Sequence, residues 1–106
     1  MTTLEALKHS VNYPLEDSQV EPILVKRGLD GSATFSTEIA NSAAYELSYA
    51  DMLRFVVTMV NLQQGGSITQ AAVSALAGTA NAIYRKHGEE LIGEMADKQP
   101  TVTILR

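Results

Sequence analysis

The sequence predicts a mainly α protein, a small bundle of four to five helices around one long central helix, with a minor β-strand at the C-terminus. Three observations carry this reading. From about residue 37 to 62 an apolar stripe recurs at helical spacing, with Tyr45, Tyr49, Met52, Val56 and Met59 separated by 4, 3, 4 and 3 positions. Start and stop signals punctuate the rest of the chain into shorter helical segments. Only after Pro100 does the pattern change, where Thr101, Val102, Thr103, Ile104 and Leu105 alternate as a strand does.

Composition bounds what such a bundle can be. With 106 residues the chain is a single domain, residues 1–106, large enough for a modest core. An apolar content of 45% excludes global disorder. Two Phe, four Tyr and no Trp leave the core to Leu, Ile, Val, Met and Ala, which suits closely packed helices. Twelve acidic and eight basic side chains give a net charge of −4, without the basic block that phosphate neutralisation requires, so sequence-specific nucleic-acid binding is not expected. Cysteine is absent, which removes disulfides, thiolate metal sites and thiol catalysis. Residues 1–11 lack a signal-peptide pattern, and the most apolar run, Phe55 to Val60, falls far short of the ~20 residues of a membrane span. A soluble protein with no membrane partner is the expectation.

The elements follow in order. Thr2 and Glu5 have capping-box spacing and open a short helix whose face is Leu4, Leu7 and Val11, ended by Asn12-Tyr13-Pro14. A second helix begins with Asp17 or Ser18 as N-cap, tolerates Pro22 near its first turn, and carries Val20, Ile23 and Leu24. Lys26 and Arg27 suit its C-terminus, with Gly28 in the left-handed C′ position and Leu29 as the accompanying apolar contact. After the 30–34 loop, Ser36 or Thr37 caps the long helix. Its apolar face is widened by Leu53, Val57 and Val60 on one side and Phe55 on the other, roughly twice the ~100° arc of an ordinary surface helix. Such a helix must be wrapped on several sides, and Leu4 to Val11, Val20 to Leu24 and Val73 to Ile83 are its candidate neighbours. Gln63-Gln64-Gly65-Gly66 ends it, and Ser67-Ile68-Thr69 reads as a brief extended segment. A fourth helix, about Gln70 to His87, has a stripe of Val73, Leu76, Ala80, Ile83 and His87, with Gly88 as C′ residue. A second strip of small residues, Ala71, Ala75, Gly78 and Ala82, permits close backbone approach by a neighbour. Residues 89–97 read as a further short helix or a connector.

No catalytic, metal or cofactor motif rises above its structural alternative. His9 and His87 sit at opposite ends of the chain without ligands at coordinating spacing. Glu89, Glu90, Glu94 and Asp97 lack the alternating ligands of a calcium loop and read as a solvated acidic face. Gln64-Gly65-Gly66-Ser67 lacks the lysine of a phosphate-binding loop. Asp51 and Arg54, at i and i+3, read as a local ion pair. Residues 77–87 resemble a helix-turn-helix of the tetracycline-repressor type. The glycine-to-Ile83-Tyr84 spacing is one residue short of that pattern, however, and a continuous helix through Gly78 is expected. The candidate packing and interface residues are therefore Tyr45, Tyr49, Met52 and Val56, core first and interface second. To these are added Ala71, Ala75, Gly78 and Ala82, and, on a terminal strand that must pair within or between chains, Val102 and Ile104.

Several segments together carry a family resemblance: Thr3-Leu4-Glu5-Ala6-Leu7-Lys8, Val11-Asn12-Tyr13-Pro14, Lys26-Arg27-Gly28-Leu29, Tyr45-Glu46-Leu47-Ser48-Tyr49-Ala50-Asp51, Gly65-Gly66-Ser67-Ile68 and Asn81-Ala82-Ile83-Tyr84-Arg85-Lys86. In these the chain resembles small proteins encoded in the structural-gene modules of Bacteroides-type phages and prophages. Such proteins are similar in helical layout to head–tail connector (adaptor) proteins, which form rings at the portal vertex of tailed phages. The resemblance implies a non-enzymatic virion subunit, assembled in the bacterial cytoplasm, that acts by self-association and meets partners such as the portal, without a cofactor. The alternatives from other classes are a DNA-binding regulator using residues 77–87 and a small-ligand module using the acidic C-terminal segment.

Overall fold

The structure, a computed structural model, describes residues 1–11, 13–63 and 70–89, the side chains of 61–63, 70 and 71 excepted. It is mainly helical, with α1 Thr3–Lys8, α2 Asp17–Lys26, α3 Thr37–Ala40, α4 Ala43–Gln63 and α5 Gln70–Lys86. Among the described residues there is no sheet, only an isolated antiparallel bridge between Thr2 and Thr34. The expected brief segment 67–69 and the C-terminal strand with Val102 and Ile104 lie outside the described residues.

Helix α1 starts as expected. Thr2 Oγ1 accepts the Glu5 amide at 3.1 Å and the Glu5 carboxylate accepts the Thr2 amide at 2.9 Å, closing a capping box. The next amides are satisfied from outside the helix. Thr3 and Leu4 donate to the Ala33 and Gly31 carbonyls at 2.8 and 2.9 Å, and the Thr3 hydroxyl adds a bond to Ala33. The α2–α3 loop therefore holds the first turn in place. This approach leaves no room at Gly31, where a Cβ would meet Leu4 Cβ at 3.3 Å and Leu24 Cδ1 at 3.4 Å.

Helix α2 begins one residue before the expected cap. Glu16 is the N-cap, and the Gln19 side chain reaches back to its amide at 2.8 Å. Asp17, now inside the first turn, pairs with Lys8 of α1 at 2.7 Å. Pro22 consequently sits at the sixth helical position rather than in the first turn, where the missing N–H leaves the Ser18 carbonyl without its helical donor. The end of α2 is as expected. Gly28 has φ +85, and the Leu29 and Gly28 amides return to the Leu24 and Val25 carbonyls, both at 2.9 Å, in a Schellman closure.

The single long helix expected from residue 37 is two helices. Ser36 caps α3, its Oγ accepting the Ile39 amide, but the helix stops at Ala40. Ser42 then accepts the Tyr45 amide at 3.2 Å while its hydroxyl donates to the Ile39 carbonyl, ending one helix and starting the next. Helix α4 is the central element. Leu47, Ala50, Met52, Leu53, Val56, Val57 and Val60 are all buried, so its apolar arc is as wide as its sequence required. It is wrapped by α5, α2 and α3, whereas α1 packs chiefly on α2.

Helix α5 runs unbroken through Gly78 and ends in a second Schellman closure at Gly88, φ +71, with the Glu89 amide on the Tyr84 carbonyl at 2.8 Å. Its buried face is Val73, Ala77, Ala80, Asn81 and Tyr84, with Leu76 and Ile83 at the margin. The seam is rotated from the expected Val73-Leu76-Ala80-Ile83-His87 stripe, because Tyr84 supplies the large side chain that fills the space against α4.

Candidate functional site

Two polar groups and one groove organise the surface where α4 meets α5. The first polar group is centred on Asp51. Its carboxylate does not serve a local pair with Arg54. It accepts two bonds from the Arg27 guanidinium, Nε to Oδ2 at 2.8 Å and Nη2 to Oδ1 at 3.0 Å, and a third from the Tyr84 hydroxyl at 2.7 Å. Arg27 Nη1 also lies 3.5 Å from the Glu89 carboxylate. One carboxylate on α4 thus ties the C-terminal ends of α2 and α5 together, with fork geometry that lysine could not supply. Burial and the adjacent carboxylate push the Tyr84 phenol well above the ordinary tyrosine range, and the Asp51 bond raises the Arg27 guanidinium against the opposing effect of burial. Tyr84 is 1% exposed. With the phenol buried and its hydroxyl committed to Asp51, the group joins α2, α4 and α5 as a structural clasp.

The second polar group sits at the other edge of the same helix pair. Glu46 in the first turn of α4 meets Lys86 at 3.1 Å and His87 Nε2 at 2.8 Å, the two residues at the end of α5. The His87 and then the Lys86 bonds hold the Glu46 carboxyl below the usual carboxylate range. His87 is thus a cross-helix partner of Glu46. Among the described residues no three His, Cys, Asp or Glu side chains converge on a metal position.

Beside Glu46 and Lys86 lies an open groove of about 390 Å³ lined by Ala40, Tyr45, Tyr49, Ala82 and Ile83. Of the expected interface residues the structure brings Tyr45, Tyr49 and Ala82 together here. Phe35 packs on Tyr45 with ring centroids 5.2 Å apart, which fixes one wall, and burial raises the Tyr45 phenol with Tyr49 adding to the shift. Met52 and Val56, fully buried, belong to the core alone. Ala75, Gly78 and Ala82 are exposed on the outer face of α5, so no described helix is sandwiched against that strip, and a Cβ at Gly78 would meet nothing within 4 Å. The side chain of Ala71 and all of Val102 and Ile104 lie outside the described residues. The sequence reading missed Arg27, Tyr84 and Glu46. Their partners are 24, 33 and 40 or more residues away, and no local spacing signals such pairs.

None of the described helices is long and apolar enough to cross a membrane. Neither the curated proteins nor the solved structures contain a match to this chain. A family model does match, over residues 1–105, and the chain accordingly belongs to DUF6706, a family of unknown function.

Proposed function

We propose that this protein is a non-enzymatic structural subunit of a phage or prophage, of the head–tail connector or head-completion type, acting by self-association. The observation that carries the reading is the groove between α4 and α5. Two half-buried tyrosines in the groove adjoin the bare outer strip of Ala75, Gly78 and Ala82 through Ala82, which belongs to both, giving a face with apolar content and little side-chain bulk. Tyrosines anchored by their own core are effective interface residues because little rotamer freedom remains to be lost. A neighbour's helix can approach α5 closely over that strip, and heterologous contacts of this kind form a ring when the rotation from subunit to subunit closes. The resemblance to phage structural-module proteins supports the same reading, which places the subunit in a virion assembled in the bacterial cytoplasm, with the portal as a neighbour.

A DNA-binding regulator over residues 77–87 has less support, since that role requires a turn at Gly78 where α5 is continuous, and an exposed recognition face where Tyr84 is buried. Two tests apply. Genes for portal, terminase and capsid should flank the coding sequence. At the bench, the purified chain mixed with the portal protein from the same gene cluster should yield ring particles in negative-stain images, and Ala82→Arg should abolish them without changing the melting temperature. A chain that neither binds portal nor forms rings, from a locus without virion genes, would sink the proposal.

A further inference from the structure

The outer side of α2 presents a surface that no other described helix covers. Val25 is 61% exposed, one of two large apolar side chains so open among the described residues, and Ser18 and Pro22 are exposed in line with it. Glu21 borders this strip on the side of α1, one turn on from the Asp17 that meets Lys8. Lys26 borders it on the side of α4, where it shares an open cleft of about 440 Å³ with Pro22, Ile23, Arg54 and Phe55. Neither Glu21 nor Lys26 has an ion-pair partner among the described residues.

A lone exposed valine is ordinary. What marks the strip around Val25 is the order of its charges. Written as a heptad, Ser18, Pro22 and Val25 fall at d, a and d, with Glu21 at g and Lys26 at e. In a parallel helix pair the g residue of one helix meets the e′ residue five positions further on in the other. Glu21 and Lys26 stand in that relation and carry opposite charges. Under a twofold axis along the helices the pairing occurs twice, Glu21 of each copy facing Lys26 of the other, with Arg54 beside Lys26 as a second cation. The face is complementary to itself.

We propose that α2 is the seam of a parallel twofold contact between two copies of this chain. Val25 packs at the centre and the two Glu21–Lys26 pairs set orientation and register. The seam is short, so the dimer is of the weak class and loosens as salt screens its charge pairs. It uses a face of the molecule distinct from the α4–α5 groove and stands or falls independently of the connector reading.

Sedimentation equilibrium of the full chain at low salt tests it, with circular dichroism melts confirming that each variant folds. The wild type should dimerise reversibly. Glu21→Lys and Lys26→Glu, each placing like charges opposite one another, should each raise the dimer Kd about tenfold or more. An equimolar mixture of the two variants should recover wild-type affinity, because each then supplies what the other lacks. Val25→Asp, which leaves the core untouched, should also weaken association. The proposal is overturned if the wild type stays monomeric into the millimolar range, or if the mixture associates no better than the variants alone. A larger assembly that all these variants leave unchanged also overturns it, without touching the groove.

Discussion

Replacing Asp51 with Asn changes few atoms and removes the centre of the clasp. The amide keeps one oxygen for the Tyr84 hydroxyl, but its NH2 group must then face the Arg27 Nε donor, and the charge that offsets the guanidinium is gone. Removing one partner of a fully buried ion pair costs about 3–5 kcal/mol. The Asp51 and Arg27 side chains retain 15% and 18% exposure, so water recovers part of that and the expected loss is about 2–3 kcal/mol. For a domain of this size such a loss lowers the melting temperature by about 10–15 °C. Urea titration followed by circular dichroism measures it. Tyr84→Phe removes a single charge-assisted hydrogen bond at a cost of about 1–2 kcal/mol, and the double variant should lose clearly less than the sum of the two singles. If Asp51→Asn costs under about 1 kcal/mol, or the two losses add fully, the three-helix clasp is not an energetic unit and the argument fails.

Other consequences can be measured in the same way. The Tyr84 phenol is held protonated in the fold, so its contribution is fully present below the ordinary tyrosine value of 10 and lost as pH rises beyond it; wild-type stability should fall steeply in alkali and Tyr84→Phe should flatten that limb. Glu46 behaves oppositely. Its depressed carboxyl contributes above the usual value of 4.5 and loses that contribution as pH falls further, so Glu46→Gln should flatten the acid limb of the stability curve. Ser48 is fully buried with no hydrogen-bond partner for its hydroxyl among the described residues, and Ser48→Ala should raise stability by about 1 kcal/mol in a denaturant titration. Gly28→Ala, at φ +85, should cost about 1–2 kcal/mol although nothing lies within 4 Å of the added methyl.

Local grammar was legible in the sequence. Thr2 with Glu5, Ser36, Gly28 and Gly88 mark helix ends by the bonds their own side chains or backbones can make, and the structure uses each in that way. The break at Asn41–Ser42 had the same kind of signal, a serine three residues before Tyr45, but the strength of the following apolar stripe obscured it. The α5 seam was displaced because periodicity alone cannot weigh Ile83 against Tyr84; the choice belongs to the volume left by α4 and to the Asp51 carboxylate waiting for a donor. The clasp itself was beyond local reading. Asp51 has an arginine three residues away, the pairing that helix spacing suggests, and the structure draws its partner from 24 residues upstream. For the candidate interface, the wide face of α4 divided into core and groove only when the neighbouring helices were placed, which separated Met52 and Val56 from Tyr45 and Tyr49.

Because the chain contains no cysteine, one introduced at position 82 is a unique reporter on the outer face of α5. The most direct test of the assembly claim compares the maleimide labelling rate of Ala82→Cys in dilute protein and in the portal-bound or self-associated state, with His9→Cys, exposed at the end of α1 and outside the groove lining, as the control. The account predicts that assembly slows labelling at position 82 at least tenfold while position 9 reacts as before. Equal labelling of position 82 in both states would contradict it.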